Sequence, residues 1–403
     1  MLVGLDRMPY LAPVVRTLQS QRLGLLAHPA SVNKQLKHVS HVLAHLDIRP
    51  RCIFGPEHGY GGEAQDMIGV ANALDPISGA PIVSLYGQSF SDLSASHEHL
   101  AELDVLLVDL CDVGSRYYTF VWTALLAIRA AHAMGVQVVV LDRPNPIGGL
   151  TLEGRPQQPG FFSFVGLEPV PVRHGLTLGE LVAEMASRDG LTVGPGAQLD
   201  VVAVKGWDRR THASEWDRPF VMPSPNMPTA DSALVYPGGC LLEGTNLSEG
   251  RGTTRPFEVC GAPWIDGVRL ARELEAEALE GFVARPLTFC PTFHKYDGQS
   301  CGGVQIHVTD RERFRPMATY VALMALSAYQ APTAFRFRQE RYEFVEGIPA
   351  IDLLAGSMRL REGIGKGLAP MELIDSICLV DEHEREVQCG AVERVARAEQ
   401  RRS

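Results

Sequence analysis

The chain has 403 residues, of which 45% are hydrophobic and 21% charged, with a formal net charge of -10. Its length predicts two domains at roughly 100–200 residues each, and its composition is that of a folded globular protein, not a disordered or low-complexity one. The acidic balance argues against nucleic acid as a partner, because that binding depends on clustered Lys and Arg neutralising phosphates.

In chain order, the opening M-L-V-G-L-D-R-M-P-Y lacks a basic start followed by an apolar run. The expectation is therefore a cytoplasmic protein, or a periplasmic or secreted one whose leader has been removed. Apolar runs at Arg22–Ala27, Arg51–Phe54, Pro81–Leu85, Asp104–Leu110 and Val136–Leu141 read as strands buried on both faces. Helical patterns at Asn33–Leu46, Asp92–Glu102 and Thr119–Met134 lie between several of them. Such alternation predicts an α/β fold with a parallel sheet and right-handed crossovers. A capping box at Thr177 and Glu180 starts another helix, and Leu199–Val204 reads as a further strand. From Pro219 to Trp264 the periodicity stops, and so long an irregular stretch inside a folded chain is more often functional than filler. Beyond it, a strand at Gly303–Val308 and helices at Pro316–Tyr329 and Ile351–Arg361 predict a smaller α+β C-terminal domain. The division is set at residues 1–260 and 261–403, and the arginine-rich end from Arg394 reads as a solvated tail.

No stretch approaches the ~20 apolar residues that span a bilayer. The eight cysteines form no C-x-x-C pair and read as free thiols, and Cys301 in S-C-G-G reads as structural.

In an open parallel sheet, ligands bind outside the carboxyl ends of the strands. The loops that follow the predicted strands carry His28-Pro29, G-P-E-H-G (Gly55–Gly59), Tyr86-Gly87, C-D-V-G-S-R-Y-Y (Cys111–Tyr118) and D-R-P-N-P-I-G-G (Asp142–Gly149). The G-P-E-H-G loop fits a tight turn, a phosphate cradle, a metal site or an acid catalyst. It lacks the Lys-Ser/Thr of a P-loop, and the dinucleotide fingerprint is absent after the first strand. His58, Asp112 and His174 are ligand types without metal-site spacing.

Carboxylate chemistry suits the loop better. Glycoside hydrolysis needs an acid for the leaving oxygen and usually a second carboxylate. Glu57 sits at a strand's end among small and apolar residues, where desolvation favours the protonated form, and His58 is placed to orient that proton. Asp112 with Arg116 and Tyr117, and Asp142 with Arg143 and Asn145, read either as loop-fixing pairs or as site residues. His174 reads either as a satisfied histidine or as a substrate contact. The densest polar run, M-P-S-P-N-M-P-T followed by E-G-T-N-L-S-E-G-R-G-T-T-R, contains Asn226, Glu243, Asn246, Glu249, Arg251, Thr253 and Arg255. Its amides, hydroxyls and guanidinium groups suit a sugar bearing a carboxylate.

The motifs G-P-E-H-G, D-V-G-S-R-Y-Y-T, L-D-R-P-N-P-I-G-G, P-V-R-H-G-L-T-L-G-E-L, M-P-S-P-N-M-P-T-A-D-S-A-L-V-Y-P-G and E-G-T-N-L-S-E-G-R-G-T-T-R-P-F-E, in that order, resemble the exo-β-N-acetylmuramidases of the NamZ type. The resemblance runs from about residue 5 to 390. It implies a Rossmann-like N-terminal domain, a smaller C-terminal domain, and a site in the cleft between them. It also implies release of terminal N-acetylmuramic acid from peptidoglycan fragments, no cofactor, and Glu57 as general acid. For the second carboxylate the candidates from the residues alone are Asp112, Glu243 and Glu249, and the sugar's own 2-acetamido group is an alternative nucleophile. Two other readings stay open: a metal-dependent hydrolase of wall amides or phosphoesters using His58, Asp112 and His174, and a non-catalytic wall-sugar binding module.

Overall fold

The computed structural model describes residues 1–62 and 73–402. The first sheet contains β1 (Leu23–Ala27), β2 (Cys52–Gly55), β3 (Ala73–Leu74), β4 (Pro81–Ser84), β5 (Val105–Asp109), β6 (Gln137–Leu141) and β7 (Leu199–Val202). Their spatial order is β3-β4-β2-β1-β5-β6-β7. Only β3 pairs antiparallel, at one edge; every other pairing is parallel. Counted among themselves, the six parallel strands run 3-2-1-4-5-6, the doubly wound order of the Rossmann fold.

The strand sequences explain this sheet. β1 and β5 are buried along their whole length, because alternate side chains enter two different cores. Leu23, Leu25 and Ala27 face the smaller core with Val105 and Leu107, to which the helices Ala12–Ser20 and Val39–His45 contribute Val14, Leu18 and Leu43. Leu26, Leu106 and Val108 face the larger core with the helices Phe120–Ala133 and Leu178–Arg188. The capping box forms as expected: Glu180 N donates to Thr177 Oγ1 at 3.1 Å, and Thr177 N donates to Glu180 Oε2 at 2.9 Å.

A second sheet, β8 (Val259–Ala262), β9 (Phe282–Phe289) and β10 (Cys301–Val308), is antiparallel in the order β8-β10-β9. The larger core runs continuously from the parallel sheet into this part of the chain.

Several predicted elements differ. The pattern at Asn33–Leu46 shortens to Val39–His45, because Asn33 Oδ1 accepts from Gln35 N and Lys37 N and turns the backbone instead. The pattern at Asp92–Glu102 splits into a short 3₁₀ turn at Phe90–Leu93 and a helix at His97–Ala101. The helix at Ile351–Arg361 is broken by Gly356 at φ 72° into Ala350–Ala355 and Arg359–Gly365. Inside the irregular stretch there is a buried helix, Ala230–Gly239, whose Pro237 and paired glycines hide its period. Those glycines permit close packing, since a Cβ on Gly238 would lie 2.1 Å from Pro316 O. The end of the chain is not a solvated tail. It forms the helix Glu382–Gln400, which packs on Leu178–Arg188. There Arg394 pairs with Glu184, and Arg402 binds Asp200 and Val201 O.

Candidate active site

The loop after β2 is held in one shape by its own sequence. Gly59 N donates to Pro56 O at 2.9 Å, closing a turn with Glu57 and His58 at its centre. His58 takes φ 69°, as the third position of such a turn requires. Gly55 admits the returning chain, because a Cβ there would lie 2.5 Å from Tyr60 N. The turn therefore presents Glu57 and His58 outward from the sheet edge.

Glu57 is 6% exposed and lines a cleft of about 500 Å³. Its Oε2 accepts from Thr119 Oγ1 at 2.7 Å. Thr119 precedes the helix Phe120–Ala133 but makes no side-chain cap, so its hydroxyl is committed to the carboxyl instead. The carboxyl, anchored through that oxygen, lines the cleft. Around it stand Tyr118, Ser224, Asn226 and Tyr236. Burial holds the phenols of Tyr118 and Tyr236 well above their ordinary value, so both stay protonated and able to donate.

The opposite wall carries charge. Arg251 Nη2 donates to Glu243 Oε1 at 2.8 Å, Tyr342 OH donates to Glu243 Oε2 at 2.8 Å, and the Arg251 guanidinium lies 5.5 Å over the Phe257 ring. Glu343 lines the same wall. The cleft thus gathers carboxyl groups, a cation, phenols and an amide, with residues from both ends of the chain.

Of the residues singled out from sequence, Glu57, His58, Tyr117, Asn226, Glu243 and Arg251 line this cleft. The others lie elsewhere, and most hold the scaffold. Asp112 Oδ2 accepts from Gly114 N at 2.7 Å and lies 3.2 Å from His174 Nε2; His174 Nδ1 accepts from Leu176 N. Arg116, wholly buried, donates to the carbonyls of Arg155, Val170 and Leu354, so it ties loops together instead of meeting a ligand. Asp142 accepts from Thr177 Oγ1, Gly179 N and Arg143 N, and burial pushes its carboxyl up to about 7. Arg143 forms a bidentate pair with Asp109. Asn145 donates to Leu176 O and accepts from Ile147 N. Asn246 bridges Ala334 O and Arg336 N, and Thr253 donates to Gly250 O.

Glu249 is also set apart. It is fully buried and meets Lys295 at 2.8 Å, His294 at 3.0 Å and Arg251 at 3.4 Å. Burial opposes its charge, but Lys295, the hydrogen bond from His294 and Arg251 together outweigh it and hold the carboxyl well below the usual carboxylate range. Glu249 therefore steadies Arg251 from behind and is not a proton donor. Asp112 and His174 meet, but among the described residues no three His, Cys, Asp or Glu side chains group as metal ligands.

Sequence reading missed Tyr118, Thr119, Ser224, Tyr236, Tyr342 and Glu343. The first four stand inside quoted motifs, where a polar residue beside a strand-end loop was the available signal. Tyr342 and Glu343 stand in R-Y-E-F-V-E, which has no glycine, proline or capping landmark.

Comparison with known proteins agrees with this architecture. A crystal structure of a DUF1343 family protein from Bacteroides fragilis NCTC 9343 superposes with a TM-score of 0.85 at 28% identity, covering 97% of this chain and 98% of that one. A second such protein from the same organism superposes with a TM-score of 0.75 at 24% identity and shares the fold. The peptidoglycan beta-N-acetylmuramidase NamZ of Bacillus subtilis (strain 168) is 40% identical over 362 residues, 90% of this chain and 84% of that protein. The family profiles described as exo-beta-N-acetylmuramidase NamZ, N-terminal and C-terminal, match residues 23–231 and 234–382. With both profiles matched in order and the relative aligned along nearly its whole length, the chain belongs to the NamZ exo-β-N-acetylmuramidase family.

Proposed function

We propose that this chain is an exo-acting glycoside hydrolase that releases N-acetylmuramic acid from the non-reducing ends of peptidoglycan fragments, in cell-wall turnover and recycling. The observation that carries the reading is Glu57, held by Thr119 in a cleft that the Arg251–Glu243 pair also lines. Glu57 Oε1 gives its proton to the oxygen of the bond to be cut, so the leaving sugar departs as an alcohol. Arg251 meets the lactyl carboxylate that distinguishes N-acetylmuramic acid from N-acetylglucosamine. Asn226 and the phenols of Tyr118 and Tyr236 serve the sugar's hydroxyl and acetamido groups.

The test is turnover of a chromogenic N-acetylmuramide, with and without chelator, by the wild-type chain and by Glu57→Gln. Turnover indifferent to chelator, with Glu57→Gln lowered at least about 100-fold on an N-acetylmuramyl disaccharide, whose leaving group needs a proton, supports the reading. Chelator-sensitive turnover, or a Glu57→Gln variant near wild type on a substrate with a poor leaving group, overturns it.

A further inference from the structure

The cleft is completed by a hairpin from the C-terminal part of the chain. Tyr342 N donates to Val345 O at 3.1 Å and Val345 N donates to Tyr342 O at 2.9 Å, so Glu343 and Phe344 are the two residues of the turn. Their φ angles are 44° and 68°, a turn that ordinarily takes asparagine and glycine. A carboxylate and a phenyl ring persist in such a conformation only when their surroundings over-determine it. Here they do. Phe344 sits 5.6 Å from Tyr86, 6.4 Å from Phe90 and 6.2 Å from Phe164, all on the N-terminal side of the molecule. The Arg341 guanidinium covers the Phe344 ring at 5.7 Å. On the other side, Tyr342 OH is tied to Glu243. Between these two anchors Glu343, 6% exposed, lines the same cleft as Glu57.

We propose that Glu343 is the second carboxylate of the hydrolysis, an inference that rests on the glycoside-hydrolase reading. The other candidates have different work. Glu243 is bound through both oxygens, to Arg251 and to Tyr342, while Glu249, against Lys295, and Asp112, held by Gly114 N beside His174, are not in the lining of this cleft. In the step proposed, the C1–O bond breaks with its electron pair going to the leaving oxygen, which takes the proton of Glu57. An oxygen of the nucleophile, water or the substrate's own acetamide, forms the new bond to C1. The proton that nucleophile must shed, from O–H or from N–H, passes to Glu343. The strained turn serves to hold this carboxylate against the sugar, and the Phe344 anchor makes the geometry depend on contact between the two ends of the chain.

The experiment compares Glu343→Gln and Glu57→Gln on two substrates: a 4-nitrophenyl N-acetylmuramide, whose leaving group needs little protonation, and an N-acetylmuramyl disaccharide. Glu343→Gln is expected to lower kcat about 100-fold or more on both, with KM within threefold. Glu57→Gln is expected to lose far more on the disaccharide than on the aryl glycoside. Should Glu343→Gln not fold, Glu343→Asp, which keeps the charge but withdraws it by one methylene, is expected to lose kcat on both substrates in the same way. A Glu343 variant that folds and keeps kcat within fivefold, or loses only KM, overturns the inference. A wild-type chain that turns over neither substrate overturns the hydrolase reading itself, so the two failures are told apart.

Discussion

Arg143 and Asp109 offer the sharpest test of whether the D-R-P-N-P loop is scaffold or sugar site. The Arg143 guanidinium makes two parallel bonds to Asp109, of 2.5 and 2.8 Å, and a third to Val32 O at 3.1 Å. The two side chains are 6% and 0% exposed. Burial disfavours the charge on Arg143, and Asp109 more than restores it, so the guanidinium is held above its ordinary value. Replacing Arg143 by Met removes the partner and leaves the Asp109 carboxylate uncompensated in a dry interior. A broken buried pair costs about 3–5 kcal/mol, which is roughly a hundred- to several-thousand-fold in the folding equilibrium. Replacing both, as Asp109→Leu with Arg143→Met, removes the stranded charge as well, and stability should return to within about 2 kcal/mol of wild type. Urea unfolding of the two single variants and the double variant measures the coupling, and the KM for a chromogenic N-acetylmuramide is read beside it. An Arg143→Met variant within about 1 kcal/mol of wild type but with KM raised tenfold would refute the scaffold assignment and restore Arg143 as a ligand of the sugar.

Three further outcomes are expected. Thr119→Val removes the donor to Glu57 Oε2 and should lower kcat up to about tenfold with little change in KM, consistent with a net hydrogen-bond contribution of about 0.5–1.5 kcal/mol; steady-state kinetics on the disaccharide check it. Burial raises Asp142 to about 7, so the folded state keeps its proton while the unfolded chain gives it up near 3.8, and the stability this confers is present below about pH 4 and lost as pH rises toward 7. Asp142→Asn lacks that loss, and urea unfolding at pH 5 and pH 8 should show the wild type losing about 2–3 kcal/mol more than the variant across the interval. All eight cysteines are free, but only Cys290 and Cys389 are exposed, and burial raises the thiols of Cys52, Cys111 and Cys301 to about 11. A thiol reagent added to the native protein should label two cysteines quickly and the remainder only on unfolding, as mass spectrometry of the labelled peptides will show.

The parallel sheet was legible because its central strands are buried on both faces and so write apolar runs such as V-L-L-V or V-V-V-L. The second sheet was less so. In β9, F-V-A-R-P-L-T-F, the exposed residues Val283, Ala's neighbour Arg285 and Pro286 blur the alternation, and β8 is four residues next to a loop dense in glycine. For the site, the sequence marked the loops but not which side chains turn into the cleft. Asp142, Arg143 and Asn145 look like ligands because they are polar at a strand's end, yet each is consumed by neighbouring backbone or by a buried partner. Glu343 carried the opposite problem. Its importance comes from a turn closed by Tyr342 and Val345 and from Phe344 meeting three rings far back in the chain, and none of these contacts leaves a periodic trace.

The strand order also predicts a binding crevice that the chain itself occupies. In a doubly wound sheet the ligand sits where the order reverses, here between the loops after β1 and β5. That crevice is lined on the sheet side by Ala30, Val32, Cys111, Asp112 and Arg143, and on the other by Trp216, Pro219, Phe220 and Pro223. Arg218, in the same segment, pairs with Asp6 at 2.8 Å and donates to Val32 O, which fastens the roof to the sheet. The roof ends at Pro223, and the very next residue, Ser224, lines the cleft of Glu57. The irregular segment thus separates two spaces, closing the one a dinucleotide would use and bordering the one that holds the acid. Displaced from the reversal point toward β2, the cleft of Glu57 is lined by Glu57 and Thr119 from the parallel-sheet part of the chain and by Arg251 and the Glu343 hairpin from beyond it. On the reading proposed above, a Rossmann-like sheet carries glycosidase chemistry because the sheet sets the position of Glu57 while the segments after residue 223 bring Arg251, Glu243 and Glu343 to the same cleft.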